Sequence, residues 1–592
     1  MLTCGSLLPI GTRDPKELMN VALGREKADL VIVNGTLLNV YTGELLDRKS
    51  ISIKGEWIAC VGDNPKDMIG PETVVIDVNG KTIIPGLIDG HTHLAWLYNV
   101  SEFLTYAMKG GTTTIITETL ETFPVGGYEG LVDFLDSLDD QPIKIFATVP
   151  AMVSVSQTAR GISEETLSKL LARNDVIGLG ESYWQAVLQE PDRMLPMFKE
   201  TLLSGKSLEG HSAGARGKKL IAYIASGISS CHEPINAEEV LERLRLGLHV
   251  MIREGSVRRD LEAISTIRDA GVNLRRLTLA TDAVEPRDLM QKGYMEFVVQ
   301  KAIDCGFDPI TAVQMATLNV AEHFSLDGLI GGIAPGRYAD LVIIPDPGTI
   351  EAQYVVSKGQ IIAREGNLLI SPRRHVFSEE SLNSVHLPRV LEPSDFSIRI
   401  KGDSKQVRVR IIHQVTDLVT AELKMDIPVV EGEIIPVVDQ DILKVAAIDR
   451  THRPGKIFVG LVKGFRMKAG AIASSEAWDT SDIIVVGASD ADMAVAVNRV
   501  YALQGGAVVC VNGEIVAELP LPVLGIISDM PMERLAQRIE KIKVAASDLG
   551  VLFPDPLLTL STLTTAAIPH LRICEEGLVN LRDDKTLGLF VN

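Results

Sequence analysis

Between about residues 85 and 330, short apolar runs alternate with stretches of helical periodicity. The runs 113–117, 143–149, 176–179, 249–252 and 276–281 have strand length. The stretches 218–226, 237–246 and 261–270 repeat their apolar residues at helical spacing. Strands and helices in this alternation predict βαβ units around a parallel sheet, most simply a (β/α)8 barrel.

The flanks are patterned differently. A poorly patterned leader with some helical character runs to about residue 25. The apolar run 28–35 then ends in a turn pair, and 50–54 alternates polar and apolar residues before Gly55-Glu56 turns it into 57–61, a predicted hairpin. Residues 73–80 form another strand-like run, so a small β-domain is expected. Ala339-Asp340-Leu341-Val342-Ile343-Ile344 echoes Ala28-Asp29-Leu30-Val31-Ile32-Val33, which predicts that the chain rejoins this domain after the barrel. Residues 371–375 read as a linker. Beyond it, β-like runs at 407–412, 456–462, 482–486 and 507–511 accompany helical runs at 489–503 and 532–549. The expected fold class is α/β: a leader and first part of the small β-domain over 1–84, a (β/α)8 barrel over 85–332, a return to the β-domain over 333–375, and a C-terminal α+β domain over 376–592.

Composition narrows the partners. Of 592 residues 46% are hydrophobic and 23% charged, ordinary for a globular chain of several domains. Its 58 basic and 77 acidic residues give a formal charge of −19, which argues against nucleic acid or an anionic membrane surface as partner. No signal peptide or membrane span is evident. Cys4, Cys60, Cys231, Cys305, Cys510 and Cys574 are scattered and form no CxxC pair. A disulfide framework is therefore not expected, and a reducing, cytoplasmic setting fits best.

The chemistry begins where the apolar run 82–90 ends, at His91-Thr92-His93. Side chains alternate along a strand, so both imidazoles fall on one face and make half of a divalent-metal site. Barrel enzymes keep their chemistry at the C-terminal ends of the strands. There the sequence offers Glu181 after 176–180, His211 after 207–210, His232 after 228–231 and Asp282 after 277–281. A lone buried His is more often core packing, and a lone strand-end Asp more often a helix cap. Six such residues in barrel register favour a metal site. A ligand set of nitrogen and oxygen without thiolate suits Mn, Fe or Zn, and two ions can share it. The two oxygens of Glu181 allow it to bridge them. A metal-bound water is a usable nucleophile near neutral pH, and Asp282 is placed both to bind metal and to shuttle a proton. Cys231 alternates away from the face of His232 and reads as packing. Arg253 and Glu254 end another strand, either orienting substrate or pairing as buried ions. Phosphate-loop, nucleophile-elbow, Rossmann and small-deaminase zinc signatures are absent.

These residues resemble the amidohydrolase superfamily and, more narrowly, the bacterial adenine deaminases. Gly178-Leu179-Gly180-Glu181, the segment 217–228, Cys231-His232-Glu233, the segment 251–256, Ala316-Thr317-Leu318-Asn319, the segment 333–341, the segment 518–522 and the segment 555–561 carry the likeness collinearly. The resemblance implies hydrolysis of adenine to hypoxanthine and ammonia on a barrel holding two metal ions, typically Mn or Fe. It implies His91, His93, Glu181, His211, His232 and Asp282 as ligands, Asp282 as the main acid/base, and a homo-oligomer, often a dimer. With adenine as substrate, Glu118 or Glu121 is expected to contact the purine ring, and Arg253 either orients the base or stays in a buried ion pair.

The pocket motifs depart from the family pattern. The family's Ile-Glu-Ser-Ser-Met after HxH is Leu94-Ala95-Trp96-Leu97-Tyr98 here. Its Ala-Asp-Pro-His-Glu is Thr117-Glu118-Thr119-Leu120-Glu121, its Thr-Asp-Asp is Thr281-Asp282-Ala283, and its His-Asp-Ser-His-Asn is Trp478-Asp479-Thr480-Ser481-Asp482. Lost polar contacts change specificity by orders of magnitude. A modified purine or another cyclic amide or amidine is therefore the alternative substrate class. An inactive binding or sensor paralogue is the rival of another kind, and the intact ligand set argues against it.

Overall fold

The structure is a computed structural model describing residues 13–591; residues 1–12, with Cys4 and the first half of the leader, lie outside the described residues. Eight parallel strands form its centre: β1 Leu87–Thr92, β2 Thr112–Thr117, β3 Lys144–Val149, β4 Val176–Tyr183, β5 Ser207–His211, β6 Ser230–Cys231, β7 His249–Arg253 and β8 Leu277–Ala280. Hydrogen bonds join β1 to β5 in chain order, and β6 to β8 likewise. Two backbone bonds span the seams, Ser229 N to Leu208 O and Asp282 N to His91 O, each 3.0 Å. The sheet thus closes as the expected (β/α)8 barrel. Every residue of β1 to β4 is buried, as strands covered by helices on one side and core on the other must be.

The helices hold the strand-end loops in place. In helix Ala237–Arg245, Asn236 caps the N-terminus by accepting from Glu239 N at 3.0 Å, with acids in the first turn and Arg243 and Arg245 in the last. Arg243 is fully buried and donates to Ser212 O at 3.0 Å, fixing the loop directly after His211. The expected helix over 261–270 is a short α-turn, Leu261–Ile264, continued as the 3-10 segment Ser265–Ala270.

The run 82–90 reads as one strand but folds as two. Thr82–Pro85 joins the small β-sheet, and Leu87–Thr92 joins the barrel. Gly86 is the joint, because a Cβ there would sit 2.1 Å from Thr113 Oγ1. The returning strand Leu341–Ile344 pairs antiparallel with Thr82–Pro85, in the same sheet as Leu30–Asn39 and the hairpin Glu44–Lys54/Trp57–Gly62.

An eight-stranded sheet organises the C-terminal region. Alternation along Ile442–Asp449 sends Ala446 and Ile448 against helix Asp490–Ala502, and Leu443, Val445 and Ala447 into the cluster that contains helix Met532–Asp548. This layer sits over the C-terminal ends of the barrel strands. Leu97 N and O pair there with Ile526 O at 3.2 Å and Ser528 N at 2.9 Å.

Candidate metal centre and its cavity

The barrel brings all six sequence-predicted ligands together. His91, His93, Glu181 and Asp282 form one group whose donor atoms lie within 4.8 Å of one another, and Glu181, His211 and His232 form a second. Glu181 belongs to both. Its Oε1 lies 3.4 Å from His91 Nε2, 3.6 Å from His93 Nε2 and 3.1 Å from His232 Nε2. Asp282 Oδ1 lies 3.3 Å from Nε2 of both His91 and His93. Asp282 takes a left-handed φ of +66°, which few residue types adopt readily; it turns the chain as it leaves β8.

The donor set fits divalent ions. His91 Nε2 and His211 Nδ1 are buried without a hydrogen-bond partner among the described residues, an arrangement that costs free energy unless something else coordinates the nitrogen. The electrostatics agree. Burial raises Asp282, but Arg253 and the imidazoles of His91 and His93 overcome it and hold the carboxyl well below its ordinary range. Burial likewise opposes charge on Glu181, yet His232, His91 and His93 hold it well below the usual carboxylate range. Burial lowers His91 and His93, and the neighbouring carboxylates outweigh it and lift both well above the usual imidazole range. His232 is carried up to about 9 against burial and His91, chiefly by Glu181 and Glu233, whereas burial keeps His211 low. The negative charge of two buried carboxylates thus calls for cations, which bound metal supplies in place of protons.

The three expected substrate contacts separate. Glu121 lines the cavity; one oxygen meets His93 Nδ1, while Oε2 is buried and unpaired among the described residues. Arg253 also lines the cavity and is in addition a buried ion partner: it donates to Glu233 and Asp260 as well as to Asp282 Oδ2 at 3.1 Å. Glu118 is not among the residues that line the cavity. Its Oε2 accepts from Thr148 Oγ1 at 2.7 Å and Glu181 N at 3.3 Å, and its Oε1 lies 3.5 Å from His91 Nδ1. A carboxylate behind a metal-binding imidazole sets its tautomer and orientation. Cys231 is buried in the core, with Sγ 2.8 Å from Ser212 Oγ, so it packs as the alternation implied.

Sequence reasoning missed two supports and the roof. Glu233 Oε1 lies 3.3 Å from His211 Nε2 and 3.2 Å from His232 Nε2; its position beside His232 was the available signal. Asp89 accepts from His91 N at 3.1 Å and Thr281 Oγ1 at 2.6 Å, tying β1 to β8 beneath the site. The cavity encloses about 380 Å³, and its outer wall comes from the C-terminal region: Leu418, Trp478, Ile568 and Pro569 face Trp96 and Leu120 of the barrel loops.

A closed eight-stranded barrel with a His/Glu/Asp cluster at its strand ends places the chain among the amidohydrolases, and residues 82–364 match the Amidohydrolase family. Residues 417–585 match the Adenine deaminase C-terminal domain. The chain is 36% identical over 583 residues to the adenine deaminase of Moorella thermoacetica, covering 97% of this chain and 98% of that one. It is 34% identical over 585 residues to that of Clostridium botulinum (97% of each) and 36% over 578 residues to that of Dehalococcoides mccartyi (96% and 98%). The chain belongs to the adenine deaminase family.

Proposed function

We propose that the protein hydrolyses adenine to hypoxanthine and ammonia, at a two-ion site held by His91, His93, Glu181, His211, His232 and Asp282. The observation that carries this reading is Glu181, one carboxylate shared by two donor groups at the floor of a largely apolar cavity. Mn or Fe suits these donors, and Zn is compatible. When bound, such ions supply Lewis-acid charge and make water a nucleophile near neutral pH.

The protein's own groups do the rest. Water adds at C6 of the base, and the C6–amine bond breaks. Asp282 takes the proton released by the water and passes it to the departing amine; Arg253 on Oδ2 leaves Oδ1 for the reacting side. Glu121, with one free buried oxygen on the wall, accepts an N–H of the base. Trp96, Leu120, Trp478 and Ile568 exclude bulk water, which strengthens each polar contact inside. Under this reading the barrel carries the chemistry, and the C-terminal region, which supplies Leu418, Trp478, Ile568 and Pro569 to the cavity wall, closes it.

The five described cysteines are free thiols, which agrees with a reducing cytoplasm. Among the described residues no helix is long and apolar enough to cross a membrane. A homodimer rests on the family resemblance.

Turnover of adenine in ¹⁸O-labelled water tests the hydrolytic route. Expected are one ammonia per base and hypoxanthine carrying solvent oxygen at C6. Unchanged adenine after incubation with fully metal-loaded protein would overturn the reading.

A further inference from the structure

Two tryptophans line the cavity among the described residues, Trp96 from the loop after β1 and Trp478 from the C-terminal region. Trp478 is pinned at three points. Its indole Nε1 donates to Glu476 Oε1 at 2.7 Å, its backbone N donates to Ser561 O at 3.3 Å, and its carbonyl accepts from Thr564 Oγ1 at 2.6 Å. Glu476 is only 5% exposed and also accepts from Ser561 Oγ, so the group that holds the indole is itself held.

The next residue ties this ring to the metal-binding strand. Asp479 turns the chain at φ +64°. Its carboxylate accepts from Tyr183 OH at 3.1 Å, Thr565 Oγ1 at 2.6 Å and Ala566 N at 2.9 Å. Tyr183 ends β4, two residues beyond Glu181. The place of the Trp478 ring over the floor is therefore set from both domains.

The indole's one polar atom is spent on Glu476, so the ring offers carbon surface to the cavity. Leu120, Leu418, Ile568 and Pro569 line the same cavity. The groups able to read the edge of a heterocycle, Glu121, Glu181, Arg253 and Asp282, belong to the barrel. A flat base needs polar contacts in its plane and apolar contact on its faces. The barrel supplies most of the first, and the C-terminal region supplies most of the second together with Trp96 and Leu120 of the barrel loops.

We propose that Trp478 is a specificity-determining residue that stacks on the purine ring and selects flat aromatic bases over saturated rings with a similar polar edge. This rests on the adenine-hydrolysing reading of the cavity.

The test is equilibrium binding of hypoxanthine to metal-loaded wild-type, Trp478→Phe, Trp478→Leu and Trp478→Ala proteins by calorimetry, with metal content and thermal midpoint checked for each. Phe keeps an aromatic face, and Leu keeps apolar bulk without one. Expected is an affinity within about threefold of wild type for Phe and at least about tenfold weaker for Leu and Ala, the size of a lost base–aromatic stack. Leu binding as tightly as wild type would overturn the proposal, as would wild-type protein that binds no hypoxanthine. The expected ranking without ammonia release from adenine would support stacking and overturn only the deaminase reading.

Discussion

Arg253 donates to Asp282 Oδ2 at 3.1 Å and leaves Oδ1 3.3 Å from Nε2 of both His91 and His93. One buried guanidinium thus decides which oxygen of the acid/base candidate faces the cluster, and it balances Glu233 at the same time. Arg253→Met removes that charge while keeping an unbranched stem. It leaves three carboxylates, Asp282, Glu233 and Asp260, short of a partner. Expected is a loss of about 100-fold in kcat, the scale of a small misplacement of a reacting group, with KM changed far less. Steady-state kinetics at saturating metal checks it, and an undiminished kcat would separate Asp282 from Arg253.

Glu118 lies behind His91 and is not among the residues that line the cavity. Glu118→Gln keeps the bond to Thr148 but weakens the hold on His91 Nδ1. Metal affinity is expected to fall about 10–100-fold. With the metal sites filled, KM for adenine is expected within about threefold of wild type. A raised KM in fully loaded protein would return Glu118 to the substrate.

The six candidate ligands were legible as a cluster because each ends an apolar run, and a parallel barrel gathers strand ends at one rim. His91 and His93 were the clearest, since period two forces them onto one face. The orientation of Glu118 was not legible: Glu118 and Glu121 follow the same strand, and only packing against Thr148 and Glu181 N turns one of them away. The joint at Gly86 was hidden inside a continuous apolar run. The roof was hidden by distance. Leu418 and Ile568 come from segments far apart in sequence that no periodicity links, and they are brought together only by folded contacts such as those of Arg572.

Arg572 is fully buried and spends its guanidinium on four backbone carbonyls: Ile568 at 2.6 Å, Thr562 at 2.9 Å, and Leu418 and Pro569 at 3.0 Å. Burial pulls it down to about 9. Three of the four carbonyls belong to residues of the cavity roof. Arg572→Met leaves the carbonyls of Ile568 and Leu418 without their donor, while Pro569 O keeps Thr420 N and Thr562 O keeps Thr565 N; at about 1 kcal/mol or more for each of the two the expected loss of stability is about 2 kcal/mol or more. Urea unfolding measures it, and KM for adenine is expected to rise in the same variant. An unchanged unfolding midpoint would mean the roof is held by other contacts.

Burial also raises the acids of the segment beneath the roof: Glu476 to about 7, Asp479 to about 7, and Asp482 well above its ordinary value. A carboxyl raised in the folded state binds protons that the unfolded chain has already released. Stability is therefore full below pH ~4.5, falls between about 4.5 and 7, and stays low above that. Glu476→Gln removes one of these groups. Between pH 5 and pH 8 wild type is expected to lose up to about 3 kcal/mol more than the variant, the size of a shift from 4.5 to about 7. Urea midpoints at the two pH values check the sign; equal losses would show Glu476 ionised throughout.

The most direct test of the account is ammonia release from adenine by Mn(II)- or Fe(II)-loaded protein, run beside Asp282→Asn with bound metal counted in both. Expected is release by wild type at two ions per chain, and a loss of at least about 1000-fold in a variant that still carries metal, since Asn cannot move the proton. Fully metal-loaded wild-type protein that releases no ammonia, or an Asp282→Asn variant as active as wild type, would contradict it.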